Sequence, residues 1–174
     1  MAASEPGVTA VPTTSARAPA ETLETFRRSP RWESTRRAFL AKWPQCAVCA
    51  HDAAHAPDAL NVHHVVPVEF VRRAGRPELE LDERNLITLC EAGENHHFVV
   101  GHLGDWRSYN PEVRGDAARA ECRGKRSAEI EGMAWWRERR AGRPKHWGEM
   151  TAAEIEGVRE GVERGIRPGS RTVS

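Results

Sequence analysis

Between residues 29 and 43 the apolar side chains Trp32, Phe39 and Trp43 recur at helical intervals, while Arg31, Arg36, Arg37 and Lys42 occupy the other positions. Ser29 as cap and Pro30 in the first turn predict that an amphipathic helix starts there. The period then changes. Beyond Cys46-Ala-Val-Cys49 and a polar loop with His51 and His55 comes Leu60-Asn-Val-His-His-Val-Val-Pro67, whose β-branched residues and closing proline predict a strand over residues 60–66. Val68 to Arg84 reads as a long connection with room for one helical turn, and Asn85-Leu-Ile-Thr-Leu-Cys90 predicts a second short strand. Two such strands form an antiparallel ribbon. After a glycine-bearing turn, Asn95 to His102 sets apolar residues and histidines about one turn apart, the pattern of a helix.

The flanks have a different character. Residues 1–28, rich in Ala, Pro, Ser and Thr without a sustained apolar period, read as a disordered N-terminal arm. Beyond Pro111 the chain turns charged and Ala-rich, with helices expected over Ser127–Arg140 and Ala152–Arg164; Thr151 and Glu154 are spaced as a capping box for the second. Trp135 and Trp136 are expected to dock on the preceding domain. Ala-Glu-Ile-Glu-Gly occurs at 128–132 and again at 153–157, too few copies for a solenoid. The expected layout is an arm to residue 28, a domain over 29–115 and a helical extension over 116–174.

A length of 174 residues suits about one domain with tails. A mean hydropathy of −0.64 and the lack of an apolar run of even ten residues argue against a membrane-spanning helix, which needs roughly 20. The first thirty residues lack the apolar stretch of a secretory signal, so a soluble, cytoplasmic protein is expected. The net charge of +1 sums opposed segments: residues 27–43 hold six Lys or Arg against one acid, Glu33, while Glu78 to Glu83 is acidic. A local basic face can hide in such a neutral total. Four cysteines are too few for a disulfide scaffold, and their crowding with histidines points to metal binding instead.

The Cys and His residues fall into two sets. Cys46, Cys49, Cys90 and His96 make chemical sense as a closed, structural Zn²⁺ site, because a Cys-x-x-Cys knuckle offers two thiolates and a distant pair completes a tetrahedron. Cys122 is the alternative fourth ligand, and two buried thiols with a surface histidine are the reading without metal. The second set is His63, His64, Asn85, His97 and His102. Adjacent strand residues point to opposite faces, so His63 and His64 take different roles, one toward a metal and the other toward substrate. His97 and His102 are five residues apart, which requires a helix that loosens or ends at Gly101. Three imidazoles around a divalent ion leave positions open for phosphate oxygen and water.

Taken together, Cys46-x-x-Cys49, Val62-His63-His64-Val-Val-Pro67, the run through Asn85-Leu-Ile-Thr-Leu-Cys90, then His97 and His102 resemble an HNH endonuclease of the ββα-metal class, over roughly residues 30–115. The resemblance implies an α+β fold: a small two-stranded ribbon plus helix, a structural zinc site and flanking helices. It implies hydrolysis of DNA phosphodiester bonds, with His64 as general base and Asn85 orienting it by fixing the loop between the strands. It further implies His63, His97 and His102 as ligands of a catalytic divalent metal (Mg²⁺, Mn²⁺, Ni²⁺ or Zn²⁺), structural Zn²⁺ on the cysteine set, and double-stranded DNA as partner. Two departures stand out: His96 occupies a position that is usually Cys, and the His97–His102 spacing is one residue longer than the common form. Arg72, Arg73, Arg76 and Arg84 lie near the site in sequence and are candidates for flanking phosphates. The alternative reading is a non-catalytic, zinc-stabilised module that binds DNA or a protein.

Overall fold

The computed structural model of the chain describes residues 27–50, 59–123, 126–143, 151, 153 and 156. The first 26 residues, the histidines at 51 and 55, and most of the helix expected over 152–164 lie outside the described residues.

At the centre lies the antiparallel ribbon, β1 (Leu60–His64) against β2 (Leu86–Cys90), in a register that pairs Leu60 with Cys90, Val62 with Thr88 and His64 with Leu86. Both strands are shorter than their apolar runs. Val65 leaves the ladder to hydrogen-bond Asn85 O at 2.8 Å, and Asn85 itself sits in a 3₁₀ turn, Glu83–Asn85. Alternation of side chains gives the ribbon two faces. On one, Val62 and Leu86 pack with Trp32 and Phe39 of α1 (Trp32–Lys42). Ile87 and Leu89, on the other, join Val99, Val100 and Leu103 in the main core.

The structure places the start of α1 later than Ser29-Pro30 suggests. Its cap position is Arg31, and the Ser29 N–H donates to Glu80 Oε1 at 2.9 Å, a tertiary contact that takes Ser29 out of the helix start. The long connection contains α2 (Val68–Arg73) and a 3₁₀ turn over Pro77–Glu80, with Val68, Val71 and Leu79 packed as a small cluster. The third element of the core is not an extended α-helix: it is a single π turn, His97–Gly101, entered through Asn95, whose side chain accepts from Phe98 N–H at 3.2 Å.

Beyond the ribbon run α3 (Val113–Arg123), α4 (Ser127–Glu131) and α5 (Ala134–Ala141). The helix expected over 127–140 is thus two helices, broken at Gly132-Met133, where glycine weakens the helix and Met133 adopts an extended backbone. Val113, Ala117, Ala120, Ile130 and Trp136 belong to the same core as the ribbon. Trp136 docks as expected, its indole N–H donating to Val99 O of the π turn at 2.8 Å. Among the described residues no helix is long and apolar enough to cross a membrane.

Candidate active site

Cys46 and Cys49 sit on a knuckle closed by Ala50 N–H to Cys46 O at 3.0 Å and tied to β2 by Ala47 N–H to Thr88 O at 2.9 Å. The Val48 N–H points at Cys46 Sγ, 3.5 Å away. Cys90 ends β2, and His96 follows the turn after it. The ligand atoms of Cys46, Cys49, Cys90 and His96 all lie within 4.8 Å of one another. Three separations are 3.2 Å (Cys90 Sγ to His96 Nδ1), 3.6 Å (Cys46 Sγ to His96 Nδ1) and 3.9 Å (Cys49 Sγ to Cys90 Sγ). A tetrahedron with bonds of 2.0–2.3 Å has edges of about 3.3–3.8 Å, so the four atoms are spaced as a zinc cage requires. The hydrogen bond between Cys46 and Cys90 pulls the Cys46 thiol down and pushes Cys90 up, so Cys46 is the sulfur that ionises first. This Cys₃His group is able to hold zinc. Cys122 falls in α3, but its side chain is outside the described residues.

The second group forms where β1 meets the π turn. The ligand nitrogens of His63, His97 and His102 lie within 4.8 Å of one another, and the three rings meet edge to face at centroid distances of 4.9–5.1 Å. The five-residue spacing of His97 and His102 is explained by the backbone. His102 N–H bonds to His97 O at 3.1 Å, and a turn closed by i to i+5 hydrogen bonds brings residues five apart onto one side. His97 Nδ1 donates to Glu91 Oε1 at 2.8 Å and His102 Nδ1 to Ser108 O at 2.7 Å, which leaves both Nε2 atoms as lone pairs. His63 Nε2 is buried and has no hydrogen-bond partner among the described residues. Burial holds all three imidazoles below their usual range, and at His63 and His102 neighbouring histidines add to the effect. Three neutral, convergent imidazoles with an orphaned nitrogen are a donor set that fits a divalent cation.

His64, on the opposite face, stacks against Trp32 at a centroid distance of 4.6 Å. Its Nε2 is 2.9 Å from Glu80 O, which can only accept, so Nε2 carries the proton and Nδ1 the lone pair. Arg28 Nη1 lies 3.5 Å from that Nδ1. Burial lowers the His64 imidazole to about 4, opposed by the Glu80 carbonyl and assisted by Arg28, so the ring is neutral at physiological pH. Asn85 is fully buried. Its Oδ1 accepts from Val66 N–H at 2.8 Å, while Nδ2 donates to Val66 O and Leu79 O, both at 3.1 Å. Fixing Leu79 O fixes the adjoining Glu80 carbonyl, and through it the His64 ring.

His63, His64, His97 and His102 all line one groove of about 380 Å³ at the end of the ribbon. Asn85 stands behind it. The arginines expected at phosphates are not among the residues that line the groove. Arg72 pairs with buried Glu80 at 2.7 Å, Arg76 with Glu78 and Arg84 with Asp82, and none of these or Arg73 lines the groove. Arg28 and Arg107 do. Sequence reasoning missed them, and missed Glu91 and Trp106 as well. Arg28 carries no local signal in the sequence; only the fold brings its guanidinium 4.7 Å from the Trp32 ring.

A ribbon and π turn carry two Cys/His donor groups, one closed and one open to a groove beside a separate histidine, in an α+β unit whose donor sets could hold metal. Residues 46–92 match the family model described as HNH endonuclease. The match ends before His96, His97 and His102, so these three rest on geometry. Neither the curated proteins nor the solved structures yielded a match.

Proposed function

We propose that this protein is a metal-dependent HNH endonuclease that hydrolyses DNA phosphodiester bonds, with His64 as general base. The observation that carries this reading is the sharing of one groove by the three-imidazole group and by a neutral His64 whose Nδ1 is the basic atom. Nδ1 takes the proton of the attacking water while Nε2–H stays anchored on Glu80 O. Arg28, beside Nδ1, and Arg107, which also lines the groove, would bind phosphate oxygens of the strand. His63, His97 and His102 would hold a divalent ion, which supplies Lewis-acid stabilisation of the charge that develops on the phosphate and leaving 3′ oxygen. Asn85 positions the base through the loop carbonyls. The products carry 5′-phosphate and 3′-hydroxyl ends.

Supercoiled plasmid incubated with Mg²⁺, Mn²⁺, Ni²⁺ or Zn²⁺ tests this. The wild-type protein nicks it and His64→Ala loses the activity without losing zinc. If neither protein nicks and both shift DNA alike, the chain is instead a zinc-stabilised binding module.

A further inference from the structure

One side chain of the groove has no part in hydrolysis as described. Trp106 is the large apolar residue that stands exposed among those described, with 54 % of its surface open. Scattered exposed apolar residues are ordinary. This one is braced by three rings, at centroid distances of 4.8 Å from His102, 4.9 Å from Phe98 and 5.3 Å from His97, and it lines the groove. Its loop is held at both ends: Arg107 N–H donates to Asp105 Oδ1 at 3.0 Å, Ser108 N–H to Asp105 O at 2.9 Å, and Ser108 O is the acceptor for His102. The indole is therefore set in place beside the imidazole cluster before any substrate arrives.

The remaining walls match it. Phe70 and Tyr109, edge to face at 5.0 Å, continue an aromatic lining, and Arg28 and Arg107 add positive charge. Aromatic faces interleaved with basic groups hold unpaired bases while the charges follow the backbone. A stacked duplex offers groove edges and phosphates but no base face. The groove, of about 380 Å³, has room for one nucleotide.

We propose that Trp106 is a stacking platform for an unpaired nucleobase next to the scissile phosphate, so that the site takes strands in which one base is bulged, flipped or single-stranded. This rests on the nuclease reading above and narrows its substrate. Flipping is cheapest where a base is already unpaired, which makes such positions the preferred ones.

The test is fluorescence anisotropy with full-length His64→Ala protein, which binds without cleaving. The labelled probes are a duplex with a single-base bulge, the same duplex with the bulge abasic, the fully paired duplex, and the matching single strands of DNA and RNA. The bulged base is expected to bind roughly 5- to 150-fold tighter than the abasic form. Adding Trp106→Ala removes that difference and leaves the abasic and paired probes unchanged; Trp106→Phe keeps part of it. Equal affinity for base and abasic bulges overturns the platform, as does a Trp106→Ala protein weakened equally on every probe. Plasmid nicking without a base preference refutes the platform and spares the nuclease; a base preference in a protein that never nicks refutes the nuclease and spares the platform. The DNA and RNA strands show which sugar the site prefers.

Discussion

Asn85→Ala removes three hydrogen bonds in one step, and their surroundings set the size of the effect. The bond to Leu79 O is fully buried, so its loss leaves a carbonyl desolvated at about 1–3 kcal/mol. Val66 is partly exposed and water can reach its N–H and C=O, so those two bonds count for about 0.5–1.5 kcal/mol each. The expected destabilisation is about 2–6 kcal/mol, read by urea unfolding through tryptophan fluorescence at fixed free zinc, since bound metal itself adds to stability. Asn85→Asp sharpens the test. The new carboxyl keeps the Val66 N–H contact but turns its other oxygen toward two carbonyls, which raises its folded pKa above the unfolded ~3.9. A raised acid binds its proton more tightly in the folded state, so the charge penalty relative to wild type is at its full value above the folded pKa and disappears as pH falls through the folded pKa toward the unfolded ~3.9. Activity falls in both variants under conditions where they remain folded, because the Glu80 carbonyl that anchors His64 is released. An Asn85→Ala protein within 0.5 kcal/mol of wild type with full nicking activity would refute the clamp.

The other predictions concern the two donor groups and the buried carboxylate. Cys90→Ser should bring the tightly held zinc from about one ion per chain to none and abolish cooperative unfolding, as measured by metal analysis and circular dichroism. A well-folded wild-type chain without zinc would contradict the structural site. In Gly101→Ala the new Cβ meets His63 Cε1, His63 Nδ1 and Leu89 Cδ1, each at 3.2 Å; the displaced imidazole should weaken Mn²⁺ binding in calorimetry while zinc stays in the cysteine cage, at a stability cost of about 1–3 kcal/mol. Glu80 is buried, which raises its carboxyl, but Arg72, the Ser29 N–H and Arg28 outweigh this and leave it low. The stability it contributes is therefore present above the unfolded pKa near 4.3 and disappears as pH falls through the lower folded value. Glu80→Gln should be less stable than wild type at pH 7 by about 1–3 kcal/mol, tempered because Arg72 is one-third exposed, and the gap should close in acid.

Much of the site was legible because its signals are local. A Cys-x-x-Cys knuckle is a short loop whose spacing alone brings two sulfurs together, and the alternation of a strand separates His63 from His64 whatever surrounds them. The ribbon was equally plain in its β-branched runs. The broken helix at Gly132-Met133 and the late start of α1 were not, because each turns on a contact or a backbone preference that competes with helical periodicity. Ser29 is held by Glu80, fifty-one residues away. Arg28 read as part of a loose arm for the same reason: nothing near it in sequence reveals that it meets His64.

By itself the sequence determined which atoms are available for chemistry: four soft donors for a closed cage, three imidazoles for an open one, and a histidine and an asparagine at the two ends of the loop between the strands. Donor type and strand alternation are properties of residues and their immediate neighbours. Tertiary structure alone decided how those atoms are aimed. The π turn that aligns His97 with His102, the Glu91 and Ser108 acceptors that free their Nε2 atoms, the Glu80 carbonyl that sets the His64 tautomer, and the placement of Arg28, Arg107 and Trp106 around one groove all depend on contacts between distant segments. Orientation and protonation are set by such partners, and partners are chosen by packing.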